Sequence, residues 1–170
     1  MAADVNIVES NGAGETETDI TSGNLNMGSG DYASITSSAT LPIAAGANGY
    51  EKWLRFKVED ISTSDHIKTL KVWMSTDSLT GSDAMLVYAT ESSYASKAYA
   101  QPVATDSTVA TYAIPTSEPT GANVGSGAGS LTATLGNGMY SNYIPIQLQV
   151  AADTTTGGSF TLSFKYEEVA

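Results

Sequence analysis

Apolar and polar residues alternate in short runs along most of this chain, the period of a half-buried β-strand. In Trp53–Val58, Leu54, Phe56 and Val58 share one face while Trp53, Arg55 and Lys57 share the other. Ile67–Met74 repeats the pattern, with Leu70, Val72 and Met74 together and Lys71 and Trp73 opposite. Ala84–Thr90 reads as a third strand, reached through the turn-forming run Leu79-Thr-Gly-Ser-Asp83. Pro102–Val103 reads as a short edge strand, because proline donates no ladder hydrogen bond. Val109–Ile114 alternates weakly and stops at Pro115.

Two clear runs follow later in the chain. Ile144, Ile146, Leu148 and Val150 share a face against Gln147 and Gln149. Phe160, Leu162, Phe164 and Tyr166 alternate with Thr161, Ser163, Lys165 and Glu167. The polar turn Asp153–Gly158 between them predicts a hairpin. No segment sustains a helical period. The pattern predicts an all-β protein, an antiparallel β-sandwich whose apolar faces stack ~10 Å apart. A jelly roll is the first choice among sandwiches and an immunoglobulin-like arrangement the second.

Two stretches depart from this pattern. Residues 1–49 are rich in Gly, Ser, Thr and Asn, with apolar islands at Val5–Val8, Ile20, Leu25, Tyr32–Ile35 and Leu41–Ile43. They read as an extended N-terminal arm or a pair of edge strands beside a sandwich domain at 50–170. Burying a few islands cannot offset the entropy of ordering so much backbone. The segment therefore needs a surface, its own sandwich or a neighbouring subunit, and Val5, Ile7, Tyr32 and Ile35 are the candidate subunit contacts. Thr116–Gly138 is a long glycine-containing loop, and stretches of that kind usually serve function or contact.

Composition narrows the chemistry. Seven basic residues stand against 18 acidic ones, a net charge of −11. Nucleic-acid binding draws its affinity from Lys and Arg on phosphates, so no nucleic-acid partner is expected. An anionic membrane surface is disfavoured on the same ground. Lys52–Lys71 holds most of the basic residues, which read as the solvent face of two strands. With no cysteine, disulfides and thiolate metal sites are ruled out, and folding in a reducing cytoplasm is the expectation. The residues from Met1 to Ser10 lack the positive start of a secretory signal.

The search for a reactive constellation yields little. The single histidine, His66, lies in a polar turn and no Gly-x-Ser-x-Gly elbow accompanies it. One histidine cannot make a zinc site. Calcium on loop oxygens, at Asp153 or at Asp60 with Asp65, is the metal alternative to solvated acids. Glu167 and Glu168 are adjacent on a strand and point to opposite faces, unlike a glycosidase pair. Gly121–Gly129 lacks the Gly-Lys-Ser/Thr ending of a phosphate loop. Trp53 and Trp73 are the candidate glycan platform, with Tyr88 or Tyr99 nearby, if their strands are neighbours. No enzyme activity and no cofactor are expected.

Several blocks together carry a resemblance. They are Ala47-Asn-Gly-Tyr-Glu-Lys-Trp-Leu-Arg-Phe-Lys-Val58, Leu70-Lys-Val-Trp73, Ile114-Pro-Thr-Ser-Glu-Pro-Thr-Gly-Ala-Asn123, Tyr140-Ser-Asn-Tyr-Ile144 and Gly157-Gly-Ser-Phe-Thr-Leu-Ser-Phe-Lys-Tyr-Glu167. Over residues 47–168 the chain resembles small virion structural proteins of tailed bacteriophages. The resemblance implies a β-sandwich, often a jelly roll, on the particle as a capsid decoration, neck or tail component. It implies the major capsid protein or other virion proteins as partners, a homo-oligomer, and assembly in the bacterial host cytoplasm. It carries no catalytic residues. A tail, neck or fibre component binding carbohydrate through Trp53 and Trp73 is the alternative.

Overall fold

The computed structural model describes residues 2–11, 16–23, 25, 27–31, 40–87, 112–126 and 130–170. Among them are eight strands and no helix: β1 Asp4–Asn11, β2 Thr16–Asp19, β3 Lys52–Asp60, β4 His66–Asp77, β5 Ala84–Val87, β6 Tyr112–Ala113, β7 Ile144–Gln149 and β8 Phe160–Val169. A six-stranded sheet runs in the order β2-β1-β3-β7-β5-β6, and a two-stranded sheet pairs β4 with β8. Every pairing is antiparallel.

The inner faces of the two sheets share one apolar cluster. Ile7, Leu54, Phe56, Val58, Met85, Ile144 and Ile146 enter it from the larger sheet, and Ile67, Leu70, Val72 and Met74 from the smaller. Phe56 of β3 and Phe164 of β8 meet edge to face across the gap, with centroids 5.7 Å apart. Each fully buried side chain of this kind stabilises the fold by ~1.5–3 kcal/mol. The alternation in Trp53–Val58 and in Leu70–Met74 thus places residues where the sequence puts them.

Ile67 and Leu70 are both buried, although an odd spacing should send them to opposite faces. The register slips between Lys68 and Lys71, and Thr69 takes a positive φ of 55°. This bulge adds one residue and returns both side chains to the interior. A β-branched residue in that region is strained. The Thr69 hydroxyl donates to Glu167 Oε2 at 2.9 Å, which ties the bulge to β8.

The hairpin expected at Asp153–Gly158 does not form. β7 pairs with β3 and β5, while β8 pairs with β4 in the other sheet. The intervening residues carry the chain between layers instead of reversing it within one. Gly158 sits where this crossover presses on the segment after β4. A Cβ there would lie 2.6 Å from both Leu79 Cα and the Ser78 carbonyl oxygen, so only glycine fits without a backbone shift. Ala84–Val87 and Tyr112–Ala113 are strands; Pro102–Val103 lies outside the described residues.

Over the residues described, 4–11 and 16–19 are strands at one edge of the larger sheet, matching the edge-strand reading of the N-terminal segment and not the arm. β1 pairs with β3 from Asp4↔Asp60 to Ser10↔Trp53, and β2 then forms the sheet edge. Ile7 and Met27 belong to the same cluster as Leu54. The physical reason is the island Val5–Val8: opposite Val58 and Phe56, its alternate residues find a buried face. Glu9 continues that face, and its Oε1 meets Lys52 Nζ at 2.9 Å, with both side chains 1% exposed. A charge buried this deeply is tolerated because it is paired.

Candidate interaction surface

The two outer edges of the small sheet are built differently. The edge of β4 is closed by the chain after β6. Met74 N–H donates to the Pro115 carbonyl at 2.8 Å, and the Asn123 and Val124 amides both donate to the Leu70 carbonyl at 3.1 Å. The buried Asn123 side chain imitates a strand: its Oδ1 accepts the Val72 N–H at 2.9 Å and its Nδ2 donates to the Val72 carbonyl at 2.8 Å. Further along, Ile67 and Leu135 exchange both backbone bonds at 2.9 Å. Glu118 Oε1 then receives Lys71 Nζ at 3.0 Å and Lys165 Nζ at 2.9 Å, latching the loop to both strands. The Lys165 and Lys71 hydrogen bonds hold the Glu118 carboxyl below the usual range. The described part of the loop expected as an outward contact surface is therefore spent in large measure on closing β4.

The other edge, along β8, has no strand partner among the described residues. Its inward side chains Phe160, Leu162, Phe164 and Tyr166 pack on the core yet remain partly exposed. Two adjoining hollows of about 230 and 290 Å³ run beside them. Val5, Ile7, Ile20 and Leu25 from the β1–β2 side of the larger sheet form the floor. Among the described residues the larger sheet thus extends past β8, and a groove lies beside that strand in the opposite layer. At one end, Tyr166 donates its hydroxyl to the Ala3 carbonyl at 3.3 Å. Partial burial, followed by the charges of Glu168 and Asp4, raises the Tyr166 hydroxyl pKa. Asp4 faces Asp60 across β1 and β3, so this end is acidic.

The outer face of the larger sheet carries a cation and aromatic cluster. The Arg55 guanidinium lies 3.9 Å from the Tyr140 ring centroid and 4.6 Å from that of Tyr143. Arg55 Nη2 donates to Glu17 Oε2 at 3.1 Å, and Lys57 Nζ lies 3.1 Å from Glu17 Oε1. Partial burial pushes the Glu17 carboxyl up, but hydrogen bonds from Lys57 and Arg55 overcome this and hold it below its ordinary value. Hydrogen bonds to Glu59 and Glu17 raise Lys57. Of the basic residues in the 52–71 segment, Arg55 and Lys57 pair with acids on the outer face as expected, and Lys71 pairs with Glu118 from a mostly buried position. Lys52 does not line the solvent face at all, its pairing with Glu9 being buried.

The two tryptophans are not brought together. Trp53 belongs to the six-stranded sheet, is 3% exposed and meets Tyr143 edge to face at 5.6 Å. Trp73 belongs to the two-stranded sheet. Their strands are not neighbours, so they make no common glycan platform; Tyr88 and Tyr99 lie outside the described residues. Of the candidate subunit contacts, Ile7 is buried in the core and Val5 packs on it, while Tyr32 and Ile35 lie outside the described residues.

His66 Nδ1 and Asp65 Oδ2 are 2.6 Å apart at the surface. Among the described residues no three His, Asp or Glu side chains are grouped so as to hold a metal ion, Asp60, Asp65 and Asp153 included. No helix among them is long and apolar enough to cross a membrane. One acid stands out. Glu51 is 2% exposed; burial first, and the nearby Asp31 second, push its carboxyl up to about 7, against a hydrogen bond with Trp53 that lowers it.

Neither a scan against protein-family models, nor a search of the curated proteins, nor a search of the solved structures finds a match to this chain. The groove was missed from sequence because alternation shows which residues face inward, not where a layer stops. A signal for Glu9 and Lys52 did exist: Lys52 shares its parity with Leu54 and Phe56.

Proposed function

We propose that the chain is a non-enzymatic structural protein of a tailed-bacteriophage particle, a capsid decoration or auxiliary protein that docks on the head and stabilises it. The major capsid protein or another virion protein is the partner, and the chain acts as one of several copies. The jelly-roll topology belongs to this proposal, as the resemblance implies it. The observation that carries the reading is the contrast between the closed β4 edge and the groove along β8. Such an edge offers backbone donors and acceptors beside uncovered apolar side chains, which is what β-strand addition uses. A bound surface of this kind stabilises an assembly by mass action. The acidic surface suits a high-copy protein that must stay soluble until it docks. The glycan-binding alternative loses support with the separation of Trp53 from Trp73.

The test is made on particles assembled from the genome that encodes the chain, purified through a density gradient. The expected result is this chain at a fixed copy number per particle, with heads lacking it disrupting at lower temperature. Purified particles without the chain overturn the proposal.

A further inference from the structure

The groove along β8 has a shape and a charge that select what can fill it. Its long axis follows a ten-residue strand, Phe160–Val169, whose only ladder among the described residues is with β4. Its walls are Phe160, Leu162, Phe164 and Tyr166 on one side and the β1–β2 side of the larger sheet on the other. A strand placed beside β8 would continue the small sheet at ~4.8 Å spacing and lay every second side chain on Ile7, Ile20 and Leu25. Residues between those would face solvent, so an alternating segment fits and a helix does not.

Charge discriminates between candidate strands. The Tyr166 end carries the exposed carboxylates Asp4, Asp60 and Glu168. Two of them are held by neighbours of this chain only in part: Ser62 N–H donates to Asp60 at 2.7 Å and Ser64 Oγ donates to Glu168 at 2.9 Å. Lys165 is turned to the opposite face and spent on Glu118. A second copy of this chain, at net charge −11, would bring more acid to an acidic end. All strand pairs here are antiparallel, and an antiparallel neighbour of β8 sets its own N-terminal residues beside Tyr166.

We infer that the β8 edge receives an extended segment of a different polypeptide, with alternating apolar side chains and lysine or arginine at its N-terminal end. This rests on the docking role proposed above and names the partner's chemistry. The incoming backbone supplies ladder hydrogen bonds, its apolar residues cover Leu162 and Phe164, and its cations meet Asp4, Asp60 and Glu168.

The test uses the full-length chain and two synthetic peptides of roughly eight residues, an ordinary strand length. Both alternate valine and threonine; one is led by two lysines and the other by two glutamates. Amide hydrogen exchange is followed by mass spectrometry. The lysine-led peptide is expected to slow exchange in 160–169 and to bind roughly tenfold more tightly than the glutamate-led one at low salt. The exposed-site double variant Asp4→Lys with Glu168→Lys is expected to reverse that preference. Four results overturn the inference: no slowing in 160–169, slowing confined to other strands, equal binding of the two peptides, or unchanged preference in the double variant. Slowing in 160–169 that rises with protein concentration in the absence of peptide also overturns it, in favour of a second copy. Because no particle is used, success here with absence from particles separates the partner's chemistry from the particle assignment.

Discussion

The edges of β4 and β8 belong to one two-stranded sheet, yet one is finished and the other is not. Along β4, backbone groups of Pro115, Asn123, Val124 and Leu135 and the amide of Asn123 take the place of a third strand. Along β8 the described residues supply no such substitute, and the apolar side chains beside it stay partly exposed. A bare strand edge is a liability that folded proteins ordinarily blunt. One edge is closed by buried side-chain hydrogen bonds while the other lies beside an apolar hollow, and the proposed docking role draws on that difference.

The contrast is sharpest in core substitutions. Leu54, 0% exposed under both sheets, is expected to lose about 2–5 kcal/mol when changed to Ala. Leu162→Ala, on the open side, is expected to cost under half as much, because water already reaches that side chain. Urea denaturation of the two variants checks this, and equal losses would mean that β8 is as well covered as β3. Next in size is Asn123→Ala. It strips the Val72 N–H and carbonyl of their partners within a buried site, at about 2–3 kcal/mol, and should speed exchange of the Val72 amide.

Glu51→Gln probes a buried acid just before β3 of the larger sheet. Glu51 titrates at about 7 when folded and near 4.5 otherwise. The folded state therefore binds the extra proton between those values, and the contribution is fully present below 4.5 and lost as pH rises through about 7. The variant should be more stable than the parent by roughly 1–3 kcal/mol at pH 8 and indistinguishable from it at pH 4. Glu118 has the opposite sign. Its carboxyl is lowered, so its contribution is present above the ordinary value of 4.5 and lost as pH falls through its folded value. Glu118→Gln should produce the smallest loss of all, visible near pH 7 in thermal melts at low salt and abolished in high salt.

Much of the strand content was legible in the chain. The inward sets Leu54, Phe56, Val58 and Leu70, Val72, Met74 follow directly from period-two alternation. Partnership between strands was not, because alternation fixes a strand's faces and says nothing of its neighbours. That is why the run at 144–150 and the run at 160–167 looked like a hairpin yet lie in different sheets. The odd spacing of Ile67 and Leu70 was a readable sign of the bulge at Thr69. The closing role of Asn123 was not readable, since an asparagine in a loop with Pro119 and Gly121 looks like turn chemistry. The groove emerges only from the unequal widths of two layers.

The bond from Thr69 to Glu167 joins positions 98 residues apart. During synthesis, β4 emerges long before the strand that must lie beside it. The two-stranded sheet therefore stays incomplete until the ribosome has delivered β8. Topologies dominated by such distant pairings fold slowly. A late, slow closure of the small sheet follows from where one strand falls along the polypeptide.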